Sequence, residues 1–288
     1  MKKYFSLVLF AHSIFALPFA FIGFFLAVNT TPAGFDGLKL ALMLLCMVFA
    51  RNAAMAFNRY LDRDIDAANP RTAMRDIPAG RIRASQALGF TIANSVLFIV
   101  ATWFINSVCF FLSPIALAVV LGYSYTKRFT PLCHVILGLG LGLAPLGAYL
   151  VVTGVFEVVP ILYSFAVLFW VAGFDIIYAL QDEAFDREHG LNSIPVMLGK
   201  RNALRVSEVF HVLSAIFVLV PVFIAPLGWL YVAGVLFYCG LLVYQHLIVS
   251  PTDLSRVDRA FMTTNGIASV VFACFFLLDL FFHFPILG

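Results

Sequence analysis

The chain is 288 residues long, 62% of them apolar and 11% charged, with a formal net charge of +3 and a mean hydropathy of +1.00. Those values exclude a soluble globular domain and leave an all-α, polytopic membrane protein, because helices that satisfy their own backbone can carry so much apolar sequence through lipid. Residues 1–288 read as a single transmembrane domain whose first partner is the bilayer; nothing calls for nucleic acid, and no protein partner is inferable.

In chain order, Lys2 and Lys3 ahead of an apolar run imitate a secretion signal, but the run contains His12 and continues to about Val28 without a cleavage-type sequence. It is read as an uncleaved first span. Apolar segments long enough to cross about 30 Å at 1.5 Å per residue fall near residues 4–28, 38–61, 85–106, 108–125, 131–153, 158–181, 203–225, 228–249 and 260–284, with the third and fourth divided near Asn106 and Ser107. Nine crossings put the N-terminus and the loops after even-numbered spans on one face. That face receives Lys2, Lys3, Arg59, Arg63, Arg71, Arg75, Arg81, Arg83, Lys127, Arg128, Arg187, Lys200, Arg201, Arg205, Arg256 and Arg259, whereas Lys39 falls on the other and Arg51 lies inside the second span. Basic residues favour the cytoplasmic side, so the bias predicts a cytoplasmic N-terminus in the cell's inner membrane.

Cys46, Cys109, Cys133, Cys239 and Cys274 are scattered singly and read as packing. His12, His134, His211, His246 and His283 also stand alone and read as packed or interfacial. Gly138, Gly140, Gly142 and Gly147 suit close helix packing better than a phosphate cradle.

At the end of the second span Asn58, Asp62 and Asp66 recur every four residues and, if that helix continues, share one face. An ionisable residue costs roughly 2.5–3.5 kcal/mol at the bilayer centre, so chance placement at a span end is disfavoured. Asp175, Tyr178, Asp182 and Asp186 fall on one helical stripe at the end of the sixth span. Both stretches reach the same rim and run into basic loops, each with an Ile-Pro pair (Ile77-Pro78 and Ile194-Pro195), a weak hint of related halves over 58–83 and 175–200.

The carboxylates of Asp62, Asp64, Asp66, Asp175, Asp182 and Asp186 would repel one another at one rim unless cations sit among them. Mg²⁺ suits this: it takes oxygen ligands and joins one or two protein carboxylates to substrate phosphates. No His or Cys cluster offers a softer site. Arg51, Arg71, Arg75, Lys127 and Arg128 are donors for phosphate oxygens. Acids for metal beside bases for phosphate point to a diphosphate. Some of the 32 Phe could line a chamber for its apolar remainder, while most single Phe are expected in packing or against lipid.

The pattern N-x-x-x-D-x-x-x-D at Asn58, Asp62 and Asp66, followed by Arg71-Thr72 and Pro78-x-Gly80, resembles the first signature of the UbiA superfamily of intramembrane aromatic prenyltransferases. D-x-x-Y-x-x-x-D-x-x-x-D at Asp175, Tyr178, Asp182 and Asp186 resembles its second, and Tyr123-Ser-Tyr-Thr-Lys127-Arg128 is similar to the basic segment after its fourth helix. The resemblance implies about nine helices around a central cavity, Mg²⁺ between the two acidic motifs, and a polyprenyl diphosphate whose chain lies in a tunnel open to lipid. Metal and basic side chains would stabilise the diphosphate as its allylic C–O bond breaks, and an aromatic ring would attack through carbon and lose a proton.

Under that resemblance Asp62, Asp66, Asp182 and Asp186 are the metal ligands, and Asn58 serves metal and diphosphate. Arg71 and Lys127 bind the diphosphate and assist its departure. Arg51 holds the carboxylate of an acidic acceptor or a phosphate, Asp175 orients the acceptor or accepts its proton, and Tyr178 lines the acceptor pocket. Asp64, off the Asn58 stripe, is a solvated acid; Arg75, Asp76 and Arg128 receive no role.

The sequence departs from the commonest family pattern at Arg59, where many members have Asp, and at Asp76, where Pro is frequent. His12-Ser-Ile-Phe-Ala-Leu-Pro18 together with Phe57-Asn58-Arg59 is similar to a 4-hydroxybenzoate polyprenyltransferase-like subgroup, some of whose members serve menaquinone synthesis. The expected function is Mg²⁺-dependent polyprenyl transfer to an aromatic acid in quinone biosynthesis, with 1,4-dihydroxy-6-naphthoate as the alternative acceptor. Haem, chlorophyll or lipid prenylation shares the metal site and differs in acceptor. A transporter would more usually place its charges near the midplane, and the D-G-x-x-A-R pattern of CDP-alcohol phosphotransferases is absent.

Overall fold

The computed structural model describes residues 13–282; the expectations for Lys2, Lys3, His12 and His283 lie outside the described residues. The helices are α1 (Ser13–Thr30), α2 (Gly37–Leu61), α3 (Arg63–Ala68), α4 (Ala84–Trp103), α5 (Ser107–Thr126), α6 (Cys133–Thr153), α7 (Val158–Ala179), α8 (Glu183–Glu188), α9 (Ile194–Leu219), α10 (Pro221–Ile224), α11 (Trp229–Ile248) and α12 (Asn265–Phe282). A π turn over Arg259–Thr264 leads into α12. Among the described residues there is no strand. Eight helical stretches are long and apolar enough to cross a membrane, and the described part of α1 is a shorter apolar helix. The chain is an all-α integral membrane protein.

Within the described residues the span boundaries agree closely with the apolar runs, the start of the first and the end of the ninth lying outside them. The seventh differs: it begins at Ile194, because Ser193 caps its first turn by accepting from the Val196 amide at 3.3 Å and Pro195 suits an N-terminal position. Two helical pieces then meet at Gly199, whose φ of +76° L side chains rarely adopt. The π turn has a local cause as well, since Thr264 Oγ1 and Asn265 Nδ2 donate five residues back to the carbonyls of Arg259 and Ala260, both at 3.1 Å.

Helix α7 is the centre of the bundle. It packs on α6 and α9, α1 lies against α6 and α12, and α2, α4 and α5 form a second group joined through α6. Gly138 and Gly142 make the α6–α7 approach possible: a Cβ there would stand 2.2 Å from the Leu168 carbonyl oxygen and 2.7 Å from that of Ser164. Gly140 and Gly147 meet no such obstacle. Many phenylalanines serve as ring-on-ring packing, as where Phe15, Phe19, Trp170 and Phe272 meet edge-on or tilted at 5.5–6.3 Å.

Several polar groups inside the bundle pair across helices, which lowers the cost of carrying them through lipid. Asn265 Oδ1 accepts from Trp170 Nε1 and Gln245 Nε2, both at 2.8 Å. Buried Asp279 accepts the amides of Gly228 and Tyr231 at the start of α11, at 2.6 and 3.2 Å. His211 and His246, singletons in sequence, pair across α9 and α11 at 2.8 Å.

Candidate active site

Both acidic motifs use one local device. Helix α2 stops at Leu61, Asp62 sits at φ −87°, ψ 6°, and six-residue α3 begins; α7 stops at Ala179, Asp182 sits at φ −98°, ψ 0°, and six-residue α8 begins. The Asp66 amide still bonds to the Asp62 carbonyl at 2.7 Å, and that of Asp186 to Asp182 at 2.8 Å. The expectation of one uninterrupted helix through Asn58, Asp62 and Asp66 is therefore corrected: the helix hitches at the middle acid, whose carboxylate is engaged from another helix instead of by the local backbone.

A cavity of about 250 Å³ opens between the two devices. Asn58, Asp62, Asp66, Arg71, Lys127, Asp175, Tyr178, Asp182 and Asp186 all line it. Arg51 does not; it interacts electrostatically with Tyr123, which does. Phe185 is the one phenylalanine lining the cavity among the described residues, so its wall is polar where it faces the acids and aliphatic at Ile65 and Leu137.

In the first motif Asp62 and Asp66 are buried, 3% and 4% exposed, and each is answered by cations. Asp62 accepts from Asn58 Nδ2 at 3.0 Å and Arg128 at 2.9 Å, with Lys127 Nζ at 3.1 Å. Asp66 accepts from Arg75 at 2.6 Å, but its Oδ2 is buried with no hydrogen-bond partner, Arg59 standing 4.0 Å away. Asp64 is exposed beside Arg63 at 3.6 Å, as expected of a solvated acid. In the second motif Arg71 reaches across from the first loop, its Nε donating to Asp182 Oδ1 at 3.0 Å, an η nitrogen to Asp182 Oδ2, and the other to the Tyr178 hydroxyl at 2.8 Å. Asn69 adds a bond to Asp182 at 3.3 Å. Among the described residues Asp186 makes no side-chain hydrogen bond or ion pair; burial, then the neighbouring charge of Asp182, pushes its carboxyl up to about 6.

Deeper in, Asp175 Oδ2 lies 2.7 Å from Nδ1 of His134, which is 3% exposed, in the first turn of α6. The reading of His134 as a solitary packed histidine is thus corrected in part: it is packed, and it is paired with an acid that lines the cavity. Sequence reasoning also passed over Asn69, although it continues the Asp62–Asp66 stripe by three residues, and Asn192, whose backbone amide donates to the Lys127 carbonyl at 2.7 Å and ties the two basic loops together. Arg75 and Arg128, left without roles, prove to be the partners of Asp66 and Asp62.

Among the described residues no three acidic, His or Cys side chains are close enough to hold a metal ion unaided. The donor set nevertheless fits a hard cation delivered with phosphates: it is all oxygen, it comes from opposite walls, and Asp66 Oδ2 is a buried carboxylate oxygen with no hydrogen-bond partner.

The chain is 31% identical over 248 residues to a 4-hydroxybenzoate octaprenyltransferase of Tolumonas auensis, covering 84% of each chain. It is 35% identical over 208 residues to a protoheme IX farnesyltransferase of Gluconacetobacter diazotrophicus, covering 69% of this chain and 64% of that one. The apo structure of a UbiA homolog from Aeropyrum pernix K1 superposes with a TM-score of 0.83 at 32% identity, covering 93% of this chain and 98% of that one. A UbiA homolog from Archaeoglobus fulgidus, solved with GPP and Mg²⁺, shares the fold with a TM-score of 0.73 at 23% identity, covering 96% and 99%. A family model described as the UbiA prenyltransferase family matches residues 16–276, so the chain belongs to that family and is a prenyltransferase.

Proposed function

We propose that this protein transfers a polyprenyl group from a polyprenyl diphosphate to the ring of an aromatic acid of the 4-hydroxybenzoate type, in a Mg²⁺-dependent step of quinone biosynthesis. The observation that carries the reading is the convergence on one cavity of two acid pairs, the bases Arg71 and Lys127, and the deeper carboxylate of Asp175. The octaprenyltransferase relative supports the aromatic acceptor, because it matches 84% of the chain. The bias of basic loops supports a site on the cytoplasmic side of the inner membrane.

Asp62, Asp66, Asp182 and Asp186 would hold Mg²⁺, which when bound neutralises diphosphate charge and so improves the leaving group. Asn58 offers its amide beside Asp62. Arg71 and Lys127 turn from their carboxylates to the diphosphate oxygens, which accept from Arg in bidentate fashion. The allylic C–O bond breaks with its electron pair going to the diphosphate, a ring carbon supplies the pair for the new C–C bond, and the ring proton passes to Asp175. Tyr178, stacked on Phe261 at 4.2 Å, gives the acceptor a flat wall. Arg51 adds positive charge beyond Tyr123 for an acidic acceptor. A cavity of about 250 Å³ is smaller than the ~300–1,000 Å³ of whole-ligand sites, which suits the polar headgroup and ring and leaves the prenyl chain among the lipid-facing helices.

Membranes containing the protein, given a polyprenyl diphosphate, Mg²⁺ and either 4-hydroxybenzoate or 1,4-dihydroxy-6-naphthoate, are expected to yield a prenylated ring by mass spectrometry, with none from Asp62→Ala or Asp182→Ala. Product from the naphthoate alone moves the acceptor to the menaquinone alternative. Product from protohaem IX and neither acid overturns the aromatic-acid reading.

A further inference from the structure

The cavity contains a second polar device besides the two acid motifs. His134 occupies the first turn of α6 and is fixed from both sides of its ring: Nδ1 lies 2.7 Å from Asp175 Oδ2, and the amide of Ile194, at the first position of α9, donates to Nε2 at 3.4 Å. The first amides of a helix have no partner within it, so this contact supplies one. One tautomer meets both contacts. In the tautomer with its proton on Nδ1, Nε2 keeps the lone pair that accepts the Ile194 amide, and Nδ1–H donates to Asp175. The Asp175 side chain makes no other hydrogen bond among the described residues, is 23% exposed, and lines the cavity. One carboxylate oxygen is held; the other is left to the cavity.

The placement depends on the helix contact beneath it. Gly138 and Gly142 bring α6 against the carbonyls of Leu168 and Ser164 on α7, which lets a side chain as short as histidine span from α6 to Asp175. The same ring anchors the start of α9, and hence the loop that carries Asn192 to Lys127.

We propose that His134 is a positioning residue that acts through Asp175: it locks one carboxylate oxygen so that the other receives the proton released by the prenylated ring. In that step the ring C–H bond breaks, its electron pair restores aromaticity, and the proton adds to Asp175, giving a neutral carboxyl that later returns it to water. This inference rests on the reading of Asp175 as the group that takes the acceptor's proton.

The test is a kinetic double-mutant cycle in membranes, with a polyprenyl diphosphate, Mg²⁺ and the acceptor that the wild type uses. Asp175→Asn is expected to lower kcat about a hundredfold or more, the scale of a lost general base. His134→Gln can still reach Ile194 but places no donor at Nδ1, and is expected to lower kcat roughly ten- to a hundredfold with the KM for the prenyl diphosphate unchanged. His134→Asn, whose amide nitrogen falls near Nδ1, should restore kcat to within about threefold of wild type. Combining His134→Gln with Asp175→Asn should cost no more than Asp175→Asn alone, because one residue acts through the other. Full multiplication of the two losses, equal losses for Asn and Gln at 134, or a loss confined to the KM for diphosphate overturns the inference. An unaffected Asp175→Asn instead overturns the reading of Asp175 on which it rests.

Discussion

The two acidic motifs share a backbone and differ in how their charges are answered. Asp62 and Asp66 are buried beneath cations drawn from separate segments: Lys127 and Arg128 from the end of α5, Arg75 from the loop after α3. Asp182 is held from outside its own motif by Arg71 and Asn69, and Asp186 has no polar partner among the described residues. The first motif is therefore part of what joins α2, α3 and α5, whereas the second presents carboxylates to the cavity with less in the way. A bound cation has more to gain at Asp186, where burial and the neighbouring Asp182 both oppose the charge.

The largest effects should come from deleting one acid on each side. Asp62→Ala and Asp182→Ala are both expected to lower turnover by on the order of a thousandfold, since each removes a group that answers charge in the transition state. Stability separates them. Removing a buried acid strands its cationic partners and costs about 3–5 kcal/mol, so Asp62→Ala, which leaves Lys127 and Arg128 unanswered, should unfold well before wild type on heating in detergent. Asp182 is more exposed, and its loss should cost about 1–2 kcal/mol. Equal losses of stability would erase the distinction between the motifs.

Titration sharpens the same contrast. Asp186 ionises only as pH rises through about 6, a value raised first by burial and next by Asp182. A cation binds the ionised carboxylate, so Mg²⁺ affinity measured by calorimetry should fall about tenfold per pH unit below 6 and level off above it. In Asp186→Asn that pH step should vanish. The sign for folding is opposite. A carboxyl raised above its ordinary value of about 3.9 favours the fold while protonated, so chelated protein should lose stability between pH 4 and pH 6 and regain it on adding Mg²⁺. A Mg²⁺ affinity flat from pH 5 to 7 would show that Asp186 does not ligate the ion.

Much of this was legible in the sequence because it depends on local pattern. Apolar runs of span length, the breaks between them, and acids at helical spacing fixed the spans and gathered nine of the ten expected site residues around one cavity. What was not legible depends on how helices meet. His134 and Asp175 are 41 positions apart, and their pairing follows from Gly138 and Gly142 admitting α7, a distance that no spacing within one helix encodes. The hitches at Asp62 and Asp182 were hidden for the same reason, since the groups that engage those carboxylates come from other segments. Arg51 reads as a cavity residue from depth alone, whereas the cavity is lined by Tyr123 from α5, with Arg51 of α2 outside the lining.

The smallest expected effect concerns two adjacent cations that sequence treats alike. Arg128 donates to the carbonyls of Ser124 and Leu61 at 2.8 and 3.1 Å as well as to Asp62, which fixes it as a clamp between α5 and the end of α2. Among the described residues the Lys127 side chain makes one ion pair, to Asp62 at 3.1 Å, and its flexible stem can turn to a diphosphate when one arrives. Lys127→Ala should therefore raise the KM for the prenyl diphosphate several-fold with thermal stability near wild type. Arg128→Ala should lower stability by about 1–3 kcal/mol, the scale of hydrogen bonds to a charged group, with KM changed less than twofold. Arg128→Lys should not repair it, because an ammonium on a flexible stem does not reproduce the fixed fork that reaches three acceptors. If the two alanine variants exchange these signatures, Arg128 is the diphosphate ligand and Lys127 the tie, and the buried motif yields its cation to substrate from the more constrained of the two positions.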